Sequence, residues 1–107
     1  MLKINVRRIV PGKEQKLRDW LRSLGTRRDE VRETFRAEKV RAERAFIIPS
    51  REGPLCVYAI ECEDYAYAEQ MFAQSTLAID HEHAATMSEC LGEAVEWEQL
   101  YDMALSA

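Results

Sequence analysis

The eight residues Leu55 to Cys62, Leu-Cys-Val-Tyr-Ala-Ile-Glu-Cys, constrain the fold more than any other stretch of this chain. The run reads as a strand with two apolar sets: Leu55, Val57 and Ala59 on one side, Cys56, Tyr58 and Ile60 on the other. Such a strand must be covered on both faces. At 107 residues the chain has the size of one domain, residues 1–107, and is too short for two cores.

Leu2, Ile4 and Val6 alternate with polar residues and mark a first strand, ended by Pro11-Gly12. From Lys13 to Glu38, Leu17, Trp20, Leu21, Leu24, Val31 and Phe35 recur at helical spacing, which predicts one long amphipathic helix. Gly25 weakens its middle by about 1 kcal/mol relative to Ala, so a bend or break is expected there. Val40 to Ile48 reads as a second strand, and Pro49 to Pro54 as the turn into the third. Asp64 is placed to cap a helix carrying Tyr67, Ala68, Met71 and Phe72. A further helix is predicted from Ile79 to Leu91, stopped by Gly92. In a last strand Val95, Trp97, Gln99 and Tyr101 alternate with Glu96, Glu98 and Leu100.

The order β-α-β-β-α-β is the split βαβ unit, an α+β, ferredoxin-like sandwich with a four-stranded antiparallel sheet and its helices on one face. The other face is bare, and because the third strand is apolar there too, it exposes a patch that needs a partner. A second copy, sheet against sheet about a two-fold axis, is the simplest one. The chain is therefore expected to be a homodimer.

The net charge of −4 argues against a dedicated nucleic-acid binder. The basic run from Arg27 to Arg44 is interleaved with Asp29, Glu30, Glu33, Glu38 and Glu43, as on a solvated helix face. The first twelve residues lack the apolar core and cleavage site of a signal peptide, and no apolar run approaches the roughly 20 residues that span a bilayer. A cytoplasmic protein without membrane or nucleic-acid partners is expected. Cys56, Cys62 and Cys90 are odd in number and without paired spacing. Cys56 and Cys62 lie roughly 20 Å apart along one strand, too far for a shared metal or disulfide, and all three read as buried structural thiols.

The stretch Pro11-Gly-Lys-Glu14, Arg27-Arg-Asp-Glu30, Glu43 with Phe46, Ser75, Ile79-Asp80-x-Glu82-His83 and Met87 together resemble the dimeric α+β barrel superfamily, and within it a bacterial family with no assigned function. The resemblance implies that two such sheets pair into one barrel, with a pocket between sheet and helices of each subunit. Its relatives include cofactor-free monooxygenases of aromatic polyketides, small isomerases, lactonising enzymes, haem-binding proteins and stress-induced proteins. The fold therefore selects no reaction.

Helix geometry, at about 100° per residue, sorts the polar residues that would face such a pocket. Arg28 falls between Leu24 and Val31 in the middle of the apolar stripe, with Arg27 at its edge. An inward guanidinium needs an acceptor or an anion unless its stem lets it snorkel to water. On the later helix Ile79, His83, Thr86, Met87 and Cys90 share one face while His81 points away, so His83 is the inward histidine. Asp80 and Glu82 flank the helix start, where carboxylates favour the dipole. Trp20 and Tyr58 are candidate ligand contacts, although with Phe72 and Trp97 they also read as core or dimer interface. His81 and His83 are two apart and diverge on a helix, so no metal is expected, and nothing points to another cofactor. Glycine-rich phosphate loops and nucleophile elbows are absent.

These residues suit a small-molecule enzyme or binder in which His83 is general acid or base, oriented by Asp80 or Glu43, while Arg28 and Arg27 hold an anionic or enolate oxygen. The alternative is a non-catalytic dimer, ligand-sensing or structural, with the same side chains as a buried polar network. A solvent-reached cavity between helices and sheet favours the first; close packing with every polar group paired favours the second.

Overall fold

The computed structural model describes residues 1–105. Strand β1 (Leu2–Ile9) turns at Pro11-Gly12, where Gly12 takes a φ of 83° that favours glycine, into helix α1 (Glu14–Ser23). A 3-10 turn over Leu24–Thr26 separates α1 from α2 (Arg28–Glu38). The long helix predicted over 13–38 is thus two helices, broken at Gly25, where helix propensity is weakest. Lys39 ends α2 in the left-handed conformation, and the chain enters the hairpin of β2 (Val40–Ile48) and β3 (Leu55–Cys62). Asp64 caps α3 (Tyr65–Ala73) by accepting from the Tyr67 amide at 3.2 Å.

Helix α4 (Ala78–Cys90) runs directly into β4 (Leu91–Ala94), so Gly92 lies in a strand and does not stop the helix. The last strand is also earlier and shorter than its alternation predicts. The Val10 amide bonds the Cys90 carbonyl at 2.8 Å, which clamps the end of α4 to the end of β1 and sets Leu91 opposite Ile9. Pairing starts at once, and after Ala94 it continues only through Val95 N–H to the Val6 carbonyl. Residues 95–104 form no strand, and Trp97, Leu100, Tyr101 and Met103 stay exposed.

The sheet is antiparallel with order β2-β3-β1-β4, the ferredoxin-like α+β arrangement expected. Register assigns the faces. Cys56, Tyr58 and Cys62 are buried on the helix side, and Tyr58 stands opposite Asn5 on β1 and Ala45 on β2. Leu2, Ile4 and Val6, the apolar set of β1, therefore turn away from the helices, beside Val57, Ala59 and Phe46. Lys3 and Asn5 face the helical layer, where Asn5 donates to the Tyr65 hydroxyl at 3.1 Å. The core beneath the helices is split. One cluster joins Ile9, Leu17, Cys56, Tyr58 and Cys90; the other joins Val40, Cys62 and Ala68, with Ile60 packed against both. Among the described residues no helix is long and apolar enough to cross a membrane.

Candidate functional site

Between the two clusters the sheet and helices part around a cavity of about 1240 Å³. Its floor is formed by β1, β2 and β3 and its roof by the inner faces of α2, α3 and α4. Asp80, third residue of α4, is 5 % exposed and accepts at both oxygens. The Thr34 hydroxyl of α2 donates from 2.8 Å to either oxygen, and Ser75 donates to Oδ2 at 2.5 Å. Ser75 also accepts from the Leu77 amide, so one hydroxyl fixes both the start of α4 and its carboxylate.

Two further acids converge on Asp80. Glu38, at the end of α2, is pushed up to about 7 by burial, then by the charges of Asp80 and Glu43, with the Thr34 contact opposing. Glu43, on β2 opposite Ile60, is also pushed up to about 7, by burial and then by Asp80. Protein surrounds the Glu43 carboxyl, yet it remains part-exposed to the cavity and has no hydrogen-bond partner among the described residues.

His83 lies one turn beyond Asp80. The Trp20 indole N–H donates to its Nδ1 at 2.9 Å, which fixes the neutral tautomer with its proton on Nε2. Burial lowers its pKa against the opposing pull of the Asp80 charge. The rings of Trp20, Tyr58 and Phe72 surround it at 5.9, 6.1 and 5.9 Å between centroids, the last two edge-on. Tyr58 rests its hydroxyl on Met87 Sδ at 3.6 Å, and burial, then the Glu43 charge, push its pKa up.

The structure brings His83, Asp80, Glu43, Trp20 and Tyr58 together. The two arginines lie at the edge of this group. Arg28 lines the cavity on the α2 stripe with Val31 and Phe35 but is exposed, as a guanidinium that snorkels to water is. Arg27 folds back over the Trp20 ring at 5.8 Å to pair with Glu30 and Glu82. His81 is exposed, as expected, with Nε2 at 2.6 Å from the Ser75 carbonyl. The thiols of Cys56, Cys62 and Cys90 are free and buried, and burial pushes Cys56 up to about 11, which leaves it an inert core group. Among the described residues no group of three His, Cys, Asp or Glu side chains is arranged to hold a metal.

Residues 2–106 match one family model. The chain belongs to DUF6176, a family of unknown function. No curated protein and no solved structure matched it. For this DUF6176 chain the sequence reading missed Thr34 and Glu38. A signal for both was present: they stand with Val31 and Phe35 at i, i+3, i+4 and i+7 on α2, polar residues on an otherwise apolar stripe.

Proposed function

We propose that the cleft is a small-molecule site for proton transfer, with Glu43 as general acid-base. One observation carries this reading: a part-buried carboxyl, without a hydrogen-bond partner among the described residues, faces a cavity large enough for a metabolite and is pushed up to about 7, where it can both give and take a proton. Thr34 and Ser75 hold Asp80 as the fixed acceptor beside it. His83 has its Nδ1 occupied by Trp20, so its role is that of a neutral Nε2–H donor to a substrate oxygen rather than the base. Arg28 stands at the mouth, able to contact only the outer part of a bound molecule. Among the described residues every fully buried side-chain polar atom is paired, but a closed buried network is a poorer description, because Glu43 and His83 Nε2, which reach the cavity, have no partner there.

The open sheet face supports a homodimer, the dimeric α+β barrel. Leu2, Phe46 and Ile48 are 56 %, 49 % and 42 % exposed there, beside Ile4, Val6 and Val57. Three free buried thiols suit a cytoplasmic setting.

The test is solvent-deuterium exchange into a library of small ketones and carboxylic acids, followed by NMR with wild type and Glu43→Gln. Wild type should label at least one compound, and the variant should label it about a hundredfold more slowly with its fold unchanged. Equal labelling by both proteins would remove Glu43 from the chemistry, and no labelling of any compound would leave proton transfer without support.

A further inference from the structure

Three acids meet at the inner end of the cleft without an ion pair among the described residues. Glu38 comes from α2, Glu43 from β2 and Asp80 from α4, and among the described residues none of the three pairs with a lysine or arginine. The basic side chains on the lining turn from them: Arg7, Arg22, Arg28, Arg32 and Arg41 are exposed, and Lys3, although opposite Ile60 like Glu43, rests its ammonium over the Tyr65 ring at 5.3 Å.

Glu38 makes the imbalance specific. It is 8 % exposed, and among the described residues its only hydrogen-bond contact is the Thr34 hydroxyl at 3.4 Å. That hydroxyl has one proton, and both Asp80 oxygens are nearer to it, at 2.8 Å. Glu38 is therefore a buried acid on the cavity wall with only a long, shared donor, across from a part-exposed Glu43. Among the described residues no fully buried side-chain oxygen lacks a partner, so the oxygens these two acids leave unpaired open onto the cavity, where a ligand can supply the donor. Phe35, Tyr58 and Phe72 line the adjoining wall, and aromatic rings attract cations.

Taking the cleft as the small-molecule site proposed above, we infer that its ligand is an organic cation: a protonated amine seated among Glu38, Glu43 and Asp80, carried on an apolar or aromatic body that packs along Phe35, Tyr58 and Phe72. The ammonium supplies three donors, which answers the three acids, and the body fills space that the two core clusters leave open.

Three probes of one shape and different charge test this: phenethylamine, 2-phenylethanol and 3-phenylpropionate, each titrated into the full chain at pH 8 while the His83 ring resonances are followed. The amine should bind at least about tenfold more tightly than the alcohol, and the acid should not bind. Glu38→Gln should cut the preference for amine over alcohol at least about threefold. If that variant does not fold, the wild-type series decides alone. Alcohol or acid binding as tightly as the amine overturns the inference while leaving a small-molecule site in place. If none of the three moves His83, the inference and the proposed function fall together.

Discussion

Replacing Glu43 by Gln should stabilise the protein in alkali and leave it nearly unchanged in acid. Burial, then the Asp80 charge, lift this carboxyl from an ordinary 4.5 to about 7, and unfolding returns it to the ordinary value. Because the native state holds the proton more tightly, the stability conferred by the neutral carboxyl is full below pH 4.5, declines as pH rises, and is lost once pH passes about 7. At about 1.4 kcal/mol for each pH unit, the interval is worth about 3 kcal/mol. Gln keeps the shape and carries no charge, so Glu43→Gln should exceed wild type by about 3 kcal/mol at pH 8.5 and by less than about 0.5 kcal/mol at pH 4.5. Urea denaturation across that range, with midpoints compared at equal m, measures it. An advantage of the same size at both pH values, or none at pH 8.5, would refute the reasoning, since it would mean that the carboxylate is solvated or paired in the native state. Glu38, pushed up to about 7 by burial, Asp80 and Glu43, titrates in the same window, so wild type should lose further stability over it. A chain that keeps such acids gives up stability for a group poised near neutrality, as functional sites do.

Three other expectations follow from the packing. Burial lowers the His83 pKa, and Trp20→Phe removes a donor to Nδ1 that only the neutral ring can accept, so the His83 titration followed by NMR should move up; a midpoint that stays or falls would break that link. Leu17→Ala, at a fully buried position in the larger core cluster, should cost about 3 kcal/mol in urea denaturation, and a loss under about 1 kcal/mol would show the cluster to be loosely packed. Wild type should sediment as a dimer of 12.4 kDa chains at micromolar concentration, and Phe46→Lys as a monomer; a monomeric wild type would end the sheet-to-sheet reading.

How far the sequence was legible varies by element. The hairpin of β2 and β3 sits on its predicted bounds, because alternation and the Pro-bounded turn are local signals. The Asp64 cap and the inward His83 were equally readable, since each depends on the phase of one unbroken helix. Arg28 keeps its place beside Val31 and Phe35 on the lining, and only its exposure was not readable, because a long side chain can reach water from an inward stripe. The last strand was misplaced because alternation in residues 95–101 competes with a register that Val10 and Cys90 fix from a distance.

The sequence by itself determined the order of strands and helical segments, the weak point at Gly25 and the two apolar sides of Leu55 to Cys62, all of which rest on periodicity and turn chemistry within short windows. Tertiary structure alone decided which set of β1 faces the helices. A period of two defines two faces and names neither, and here the polar Lys3 and Asn5 face inward while Leu2, Ile4 and Val6 turn out. It also decided that Thr34, Glu38, Glu43 and Asp80, spread over 47 positions, converge around one end of the cavity. Charge repulsion and burial act through space, so the resulting lift of two carboxyls towards neutrality exists only once the chain has brought them together.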